Sequence, residues 1–414
     1  MSGAISPANE QAVEQIQTAE PLLVGVKRAI DELPGMTPET VLTSGPPLEF
    51  DEYASGQASA IVGGALYEGL AASREEAIEK LRSDNIKIRT CHGHGCVGSI
   101  AGITTASMPM FVVKDLTSGE VGRCHFYEGE SRHRLNYGSY NEAVHNQLTF
   151  ITEVVAPVVG AALDRLGGIE LRPIIREALT MGDDMHSRNH AATPLLAQEL
   201  FPAMLELERS GELLSEKVDK TLEHLRNCHY FFLRPAMAAS KATAESAHGV
   251  DRSSVVSAMT FNCKQFAIRV SGLGDRWFRA PMPTIDAKYF DGFSEQDLEY
   301  MGGDSVINAT MGLGGLAQAA AFSLIEYQGG SPERMVERNE AMYRITLDEH
   351  PHYEIPYFGF QGVPTGIDIR RVVDEGITPV MNMGIPGTQS GQIGAGCLKA
   401  PMACFEAAVE ALDS

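Results

Sequence analysis

Positive charge is what this sequence is short of. Its 414 residues hold 33 Lys and Arg against 54 Asp and Glu, a formal net charge of −21. The acidic excess runs along the whole chain instead of forming one block. That balance argues against a nucleic-acid or anionic-membrane partner, while leaving room for a local basic pocket that takes a small anion. Cysteine is also sparse: seven residues, an odd number without disulfide-framework spacing, so free thiols in a reducing cytoplasm are expected. Long apolar runs are missing as well. The longest, over residues 154–163, is interrupted by Pro157 and Gly160 and is expected to be too short to span a bilayer. The opening Met1-Ser-Gly-Ala-Ile-Ser-Pro7 is polar and followed by Glu10 and Glu14, unlike a signal peptide. Internal repeats and low-complexity tracts are absent. The length suffices for two or three domains whose cores need no staples.

Read in order, the chain predicts a helical stripe over 21–33 opened by Pro21. A helix of small residues over 54–70 follows. Ser73-Arg-Glu-Glu76 has capping-box form and opens another helix. Ile86 and Ile88 alternate in a short strand that leads to Cys91, and strands are expected at 111–113 and 121–127. From 141 the pattern turns helical, with stripes over 150–166, 175–181, 195–207 and 213–225, in which Pro157 and Pro202 predict kinks or breaks. Strands return at 255–261 and 266–270. Gly-rich turns then lead to helices over 317–325 and 333–343, a strand over 378–383 and a closing helix. The implied class is α+β (mixed α/β): two mixed sheet–helix domains, 1–140 and 251–414, with a helical domain, 141–250, inserted between them.

The densest chemistry lies in Cys91-His-Gly-His-Gly-Cys96, which runs into a Gly/Ser/Thr-rich segment with Ser99, Thr104 and Thr105. In an extended segment His92, His94 and Cys96 share one face. They are candidate ligands of a divalent metal such as zinc, with His190 as a further ligand. Alternatively, His92 or His94 moves a proton or binds an oxyanion beside the amides of 95–99, Cys91 or Cys96 attacks as a thiolate, or the stretch is a turn with buried thiols. In Met181-Gly-Asp-Asp-Met-His-Ser-Arg-Asn-His190, a helix would align Asp183, His186 and His190. Asp183 and His186 are then catalytic candidates and Asn189 a substrate contact, the alternative being a solvated helix start. Ser271-Gly-Leu-Gly-Asp-Arg-Trp277 follows a strand, so Ser271, Gly272 and Arg276 are candidates for cradling phosphate or carboxylate, although no complete G-x-G-x-x-G or Walker pattern is present. The segment 384–396, with five Gly plus Thr388, Gln389, Ser390 and Gln392, reads as an amide-rich ligand loop or a set of tight turns. Lys241 and Asn262 are lesser substrate-binding candidates. Arg123, Arg132 and Arg134, with His125 and Glu128, read by default as a solvated face.

Five blocks in order carry a resemblance. They are Gly102-Ile-Thr-Thr-Ala-Ser-Met-Pro-Met-Phe-Val-Val-Lys114, Thr180-Met-Gly-Asp-Asp-Met-His-Ser-Arg-Asn189, Phe231-Phe-Leu with Met237-Ala-Ala-Ser-Lys-Ala242, Ser271-Gly-Leu-Gly-Asp-Arg-Trp-Phe278 and Gly391-Gln-Ile-Gly-Ala-Gly396. Together they resemble the YlbE/AllG-like family over nearly the whole chain. That resemblance implies a mixed α/β fold with an inserted helical domain. It also implies a subunit of an oxamate carbamoyltransferase in anaerobic allantoin breakdown, hence purine degradation and nitrogen metabolism. Such a subunit moves a carbamoyl group between oxalurate and phosphate together with an FdrA-like partner and a third subunit. The chain departs from the family pattern at Cys91–Cys96 and at Met383-Gly-Ile-Pro-Gly-Thr-Gln389. It also lacks the Ser-Thr-Arg-Thr motif of ordinary carbamoyltransferases. The expectation is a cytoplasmic transferase subunit acting on a small anionic ureido or carbamoyl compound, in a homo-oligomer or hetero-complex. The alternatives are a metal-dependent hydrolase or lyase of a small C–N substrate built on the Cys91–Cys96 cluster, and a non-catalytic subunit.

Overall fold

The structure, a computed structural model, describes residues 5–388 and 391–414. It opens with a helix, Pro7–Thr18, capped by the Ser6 side chain. Pro21–Arg28 is then a strand, not the expected helix: Pro21, Leu23 and Gly25 are buried while Leu22, Val24 and Val26 are only partly so. Leu22, Leu23 and Val26 suit either period, and pairing with distant chain decides. Pro21–Arg28 lies antiparallel to Pro109–Asp115 on one side and to Ile169–Glu170 on the other. Val121–His125 completes a four-stranded sheet.

Helices from the middle of the chain cover this sheet. Glu142–Phe150 continues through a widened turn, Ile151–Val155, into Ala156–Leu166. Pro157 explains the widening: it has no N–H to offer the Glu153 carbonyl, which instead accepts from Lys217 Nζ at 2.8 Å. Joined, Glu142–Leu166 is 25 residues, and its most apolar 18-residue window has mean hydropathy 1.3, long and apolar enough by composition to cross a membrane. This overturns the expectation that no stretch is long enough. Half of its apolar window is buried inside the molecule, and Val155, Val158, Val159, Ala162 and Leu163 belong to the main core. Pro202 sits inside Ala192–Arg209 without ending it. Ser215–Asn227 lies beside that helix.

The central element is the helix Leu233–Ser246, buried on nearly every side. Its Ala and Ser side chains let it approach the strands Pro109–Asp115 and Val121–His125 closely. At Gly122 a side chain would meet the Ala238 carbonyl. The main apolar cluster draws on residues from Ala12 to Val363, so the middle helices and the first sheet share one core. A second cluster unites the sheet of Val256–Phe261, Gln265–Val270 and Trp277–Pro281 with the hairpin Val380–Pro386/Gln392–Lys399 and the last helix, Met402–Leu412.

Two expectations fail in this last part. Residues 317–325 are not one helix but two short tight helical turns, Gly314–Ala320 and Phe322–Leu324, leading into Ile325–Gln328. Gly315 there is pressed against the Val380 carbonyl, and Ala317 leaves helical geometry with φ −119°. The segment 384–396 is largely hairpin, because Gly394 and Gly396 let the strand Ile285–Tyr289 approach the backbone. Of its expected ligand residues, Gln389 and Ser390 lie outside the described residues.

Candidate functional site

A cavity of about 60 Å³ lies at the N-terminal end of the central helix, room for a few waters or a ligand of few heavy atoms. Its wall is assembled from Ser99 and Ile100, the segment 127–137, the loop carrying His186, Arg234, Ser305, Tyr327 and the hairpin residues Met383, Gly384 and Gln392. Gln392 is fixed by two tyrosines: its Oε1 accepts from Tyr137 at 3.2 Å and its Nε2 donates to Tyr327.

Two guanidinium groups dominate the electrostatics. Arg234 is 4 % exposed and Arg134 is 8 % exposed. Among the described residues Arg234 has one polar contact, 3.6 Å from Nη1 to Met237 Sδ, its guanidinium lies over the Tyr127 ring at 5.5 Å, and its Nε has no partner. Burial pulls its pKa below the ordinary value. Arg134 reaches the Tyr127 hydroxyl at 2.6 Å and the Gly129 carbonyl at 3.3 Å, and its Nε is likewise without a partner among the described residues. It lies over the Tyr137 ring at 4.3 Å. The single carboxylate in the described wall, Glu128, accepts from Leu135 N at 2.5 Å, Asn136 N at 3.0 Å and Asn136 Nδ2 at 2.6 Å. Its acceptor sites are therefore spent on backbone and amide rather than on the arginines. A buried cation with no counter-charge is costly, and the arrangement is what an anion ligand completes.

His186 presents an Nε2 that is buried and without a protein partner among the described residues. Burial and the nearby Arg234 charge push its pKa down to about 4, so at neutral pH it is the uncharged imidazole. The loop around it is not the expected helix. Asp183 caps the following helix, accepting from His190 N at 3.1 Å, Ala191 N at 2.8 Å and Ala192 N at 2.9 Å. Asp184 accepts from His186 N at 2.9 Å and Arg188 N at 2.8 Å, and on its other oxygen from Asn382 Nδ2 at 2.6 Å. Asp183 and His186 therefore do not face each other across a helix. Asp184 is the carboxylate that holds the His186 backbone, and burial raises its pKa to about 6. Met185 between them sits at φ +64°, held by Asn308 Nδ2 on its carbonyl at 2.5 Å. Ile100 in the opposite wall sits at φ +56°, unusual for a β-branched residue. Ile100 and Met185 are two of the five described non-glycine residues at positive φ, the others being Asp84, Arg252 and Phe360.

Most other expected site residues lie away from the cavity. Cys91–Cys96 is a tight turn closed by Gly95 at φ +67°, so the alternation that would align His92, His94 and Cys96 does not apply. His94 Nδ1 turns to the Thr90 carbonyl at 3.1 Å, Cys96 Sγ to the Cys91 carbonyl at 3.4 Å, and His92 Nδ1 to Lys241 Nζ at 3.3 Å. Among the described residues no group of three or more His, Cys, Asp or Glu converges on one point. His190, expected as a ligand, packs at a tilt against His229, ring centroids 4.4 Å apart, and meets Arg188. Burial raises the Cys91 thiol well above its ordinary pKa, the opposite of what a nucleophile needs. Ser271 is spent on Ala247 and Val250 and the Gly272 amide on Ser253, while Arg276 is exposed over Phe278. No open cradle forms there among the described residues. Asn189 holds a local turn, and Asn262 holds its own turn and ties it to the distant Pro46 carbonyl at 2.8 Å. Thr104 and Thr105 are buried away from the cavity wall, their hydroxyls without partners among the described residues.

Lys241 and His92 belong to a separate buried network. Lys241 pairs with Glu245, which also holds Arg269 at 2.5 Å, and His92 Nε2 lies 3.8 Å from Asp304 Oδ1. Asp304 accepts from Gly98 N at 2.9 Å, one residue before Ser99, and is itself followed by the cavity residue Ser305. Lys241 and Arg234 are seven residues apart on one helix, roughly 10 Å along its axis. The network thus braces the wall from behind. Ser99, His186 and Gln392 are the expected residues that line the cavity. Arg134, Arg234, Glu128 and the tyrosines are additions. The signal for Arg234 was present, a charge inside Phe231-Phe-Leu-Arg-Pro-Ala-Met237, and Arg134, Glu128 and His125 are buried rather than solvated.

The family model described as "Oxamate carbamoyltransferase subunit AllG" matches residues 86–305, a span that contains most of this wall. The Escherichia coli (strain K12) protein named oxamate carbamoyltransferase subunit AllG is 38% identical over 417 residues, covering 100% of this chain and 98% of that one. The chain belongs to the AllG family. A second relative from the same organism, the uncharacterized protein YahG, is 38% identical over 99% of this chain and 86% of its own length. The fold is shared with a crystal structure of a conserved protein of unknown function from Enterococcus faecalis V583. That match has a TM-score of 0.95 and 34% identity, and covers 98% of this chain and 97% of that one.

Proposed function

We propose that this chain is a subunit of a carbamoyl-transferring enzyme of small ureido and amide compounds, and that the cavity at Arg234 holds its anionic reactant. One observation carries the reading: Arg234 is buried beside Arg134, and its Nε has no hydrogen-bond partner among the described residues. The family description supplies the reaction class. Transfer between nitrogen and a phosphoryl oxygen requires an anion clamp, donors for the oxyanion of the tetrahedral intermediate, and a group to carry the nitrogen's proton. Arg234 and Arg134 serve as the clamp. Ser99 is the nearby neutral donor, the Tyr127 hydroxyl being engaged already between Arg134 and Glu130. His186, uncharged at neutral pH, accepts the proton when substrate nitrogen attacks and returns it in the reverse direction.

A second reading, a binding subunit whose partner completes the chemistry, is favoured by the absence of cysteine from the described wall and by the engagement of Glu128 with backbone. One assay separates the two. Oxalurate and phosphate are supplied to the purified chain alone and to the chain with its candidate partner subunits, an FdrA-like protein among them, and carbamoyl phosphate is measured. Turnover by the chain alone identifies a catalytic subunit, and turnover only in the mixture identifies a binding one. In either case Arg234→Met should abolish it. Product formation undiminished by Arg234→Met would remove the cavity from the reaction.

A further inference from the structure

Resting on that reading of the cavity, we infer that residues 128–133 form a strap that swings aside to admit the reactant and closes again over it. The cavity holds about 60 Å³, enough for a few waters. A ureido acid is bulkier, so one wall has to give way. Three walls are tied to distant chain. Asp304 grips Gly98, next to Ser99, through both its carboxylate and its backbone N–H. Asp184 and Asn308 hold the loop of His186. Arg234 belongs to the buried central helix.

The segment 127–134 is tied mainly to itself. It has no regular secondary structure, and from Tyr127 to His133 no backbone-to-backbone hydrogen bond forms among the described residues. Its side-chain bonds are local. The Glu128 carboxylate takes the Leu135 and Asn136 amides and so closes the neck. Arg134 reaches back to the Gly129 carbonyl and the Tyr127 hydroxyl, and that hydroxyl donates to Glu130 at 3.3 Å. A loop closed by its own side chains is an Ω-loop, which can open without unravelling its neighbours. Beyond the neck, Glu130 to His133 are exposed, and Arg132 rests over the Phe293 ring at 4.9 Å. Behind the strap there is room for the motion. A surface hollow of about 430 Å³ is lined by 128–131 on one side and by Gln147, Phe150, His224 and Cys228 on the other. Glu128 lines both spaces, so the strap stands between them.

A cross-link tests the motion. A Cβ at Gly129 would lie 4.0 Å from Cys228 Sγ, so Gly129→Cys, oxidised with diamide, pins the strap in its closed position. Calorimetry of the full chain then compares oxalurate with formate, which is small enough for the closed cavity. Cross-linking is expected to weaken oxalurate by about tenfold or more while sparing formate, and dithiothreitol to restore it. Equal oxalurate binding by the linked and reduced forms would overturn the strap. Because a side chain at φ +100° is strained, the unaltered chain supplies a second measurement. Trypsin should cut early after the exposed Arg132, and saturating oxalurate should slow that cut about fivefold or more. A cut that is absent, or that bound oxalurate leaves unchanged, would overturn the strap as well. If neither anion binds more weakly to Arg234→Met than to the unaltered chain, the reading of the cavity falls, and the strap with it.

Discussion

Arg234 sits in the first turn of a helix rich in alanine and serine, and a guanidinium there is a liability to folding unless a ligand meets it. Its replacement therefore separates stability from function. Arg234→Met keeps the length and removes the charge; its melting temperature should be unchanged or higher, because exchanging a buried charge for an apolar group of similar volume is neutral or stabilising by about 1–4 kcal/mol. Anion binding should be lost at the same time. A large fall in melting temperature would show that Arg234 is a structural group. Met185 offers a second test at this scale. At φ +64° any L side chain is strained, so Met185→Gly should destabilise by about 1 kcal/mol less than Met185→Ala, although glycine buries less surface. Denaturant unfolding of the two variants measures the difference.

Among the elements, the loop between Leu171–Thr180 and Ala192–Arg209 depends on the Asp184 carboxylate, which gathers three donors from two parts of the chain. Asp184→Asn turns one acceptor oxygen into a donor facing N–H groups and should cost about 1–3 kcal/mol. It should also broaden or shift the His186 imidazole signal in NMR. An unchanged His186 resonance would mean that the loop is held without it. The central helix depends on close approach: Gly122→Ala puts a methyl group against the Ala238 carbonyl and Ala242 amide. The helix carrying Arg234 would have to back away, at a cost of about 1–3 kcal/mol or more, and thermal melting reads the loss. Elements with strong local signals are legible in the amino-acid sequence. The Ser73 cap, accepting from Glu76 N, opens Arg74–Arg82, although Glu76 reaches back to the Ala72 amide instead of closing a capping box, and the apolar stripes of the middle region appear as helices. Pro21–Arg28 is not legible in this way, because its apolar spacing fits both periods and only pairing with Pro109–Asp115 resolves it.

For the whole molecule, acid sensitivity follows from buried imidazoles. Burial lowers His186, His224 and His248 to about 4 and His350 to about 3, and it also holds His92 and His125 well below their ordinary value. A group whose pKa is depressed on folding binds its proton more readily when unfolded. Its stabilising contribution is fully present above about 6.5 and is lost as pH falls through about 4. Asp184 and Asp304, raised to about 6, oppose this: they favour the folded state below about 3.8 and lose that contribution as pH rises through about 6. The histidines are more numerous, so the melting temperature should fall as pH drops from 6.5 toward 4. A flat or rising profile across that window would mean that these imidazoles are hydrated.

The mixed class, the helical middle and the family all follow from the amino-acid order alone, because they rest on local periodicity, capping and ordered blocks of residues that need no knowledge of distant partners. The same order places Ser99, His186 and Gln392 among residues worth watching, since small hydroxyls, imidazoles and amides beside glycine carry chemistry wherever they fall. The rest emerges only when distant segments pack. Arg134 reads as solvated until Tyr127 and Tyr137 enclose it, and the Cys91–Cys96 ligands read as convergent until Gly95 turns them apart. Burial and convergence are properties of chain segments more than a hundred residues apart meeting at one helix end, and no local pattern encodes which charge will be left there without a partner.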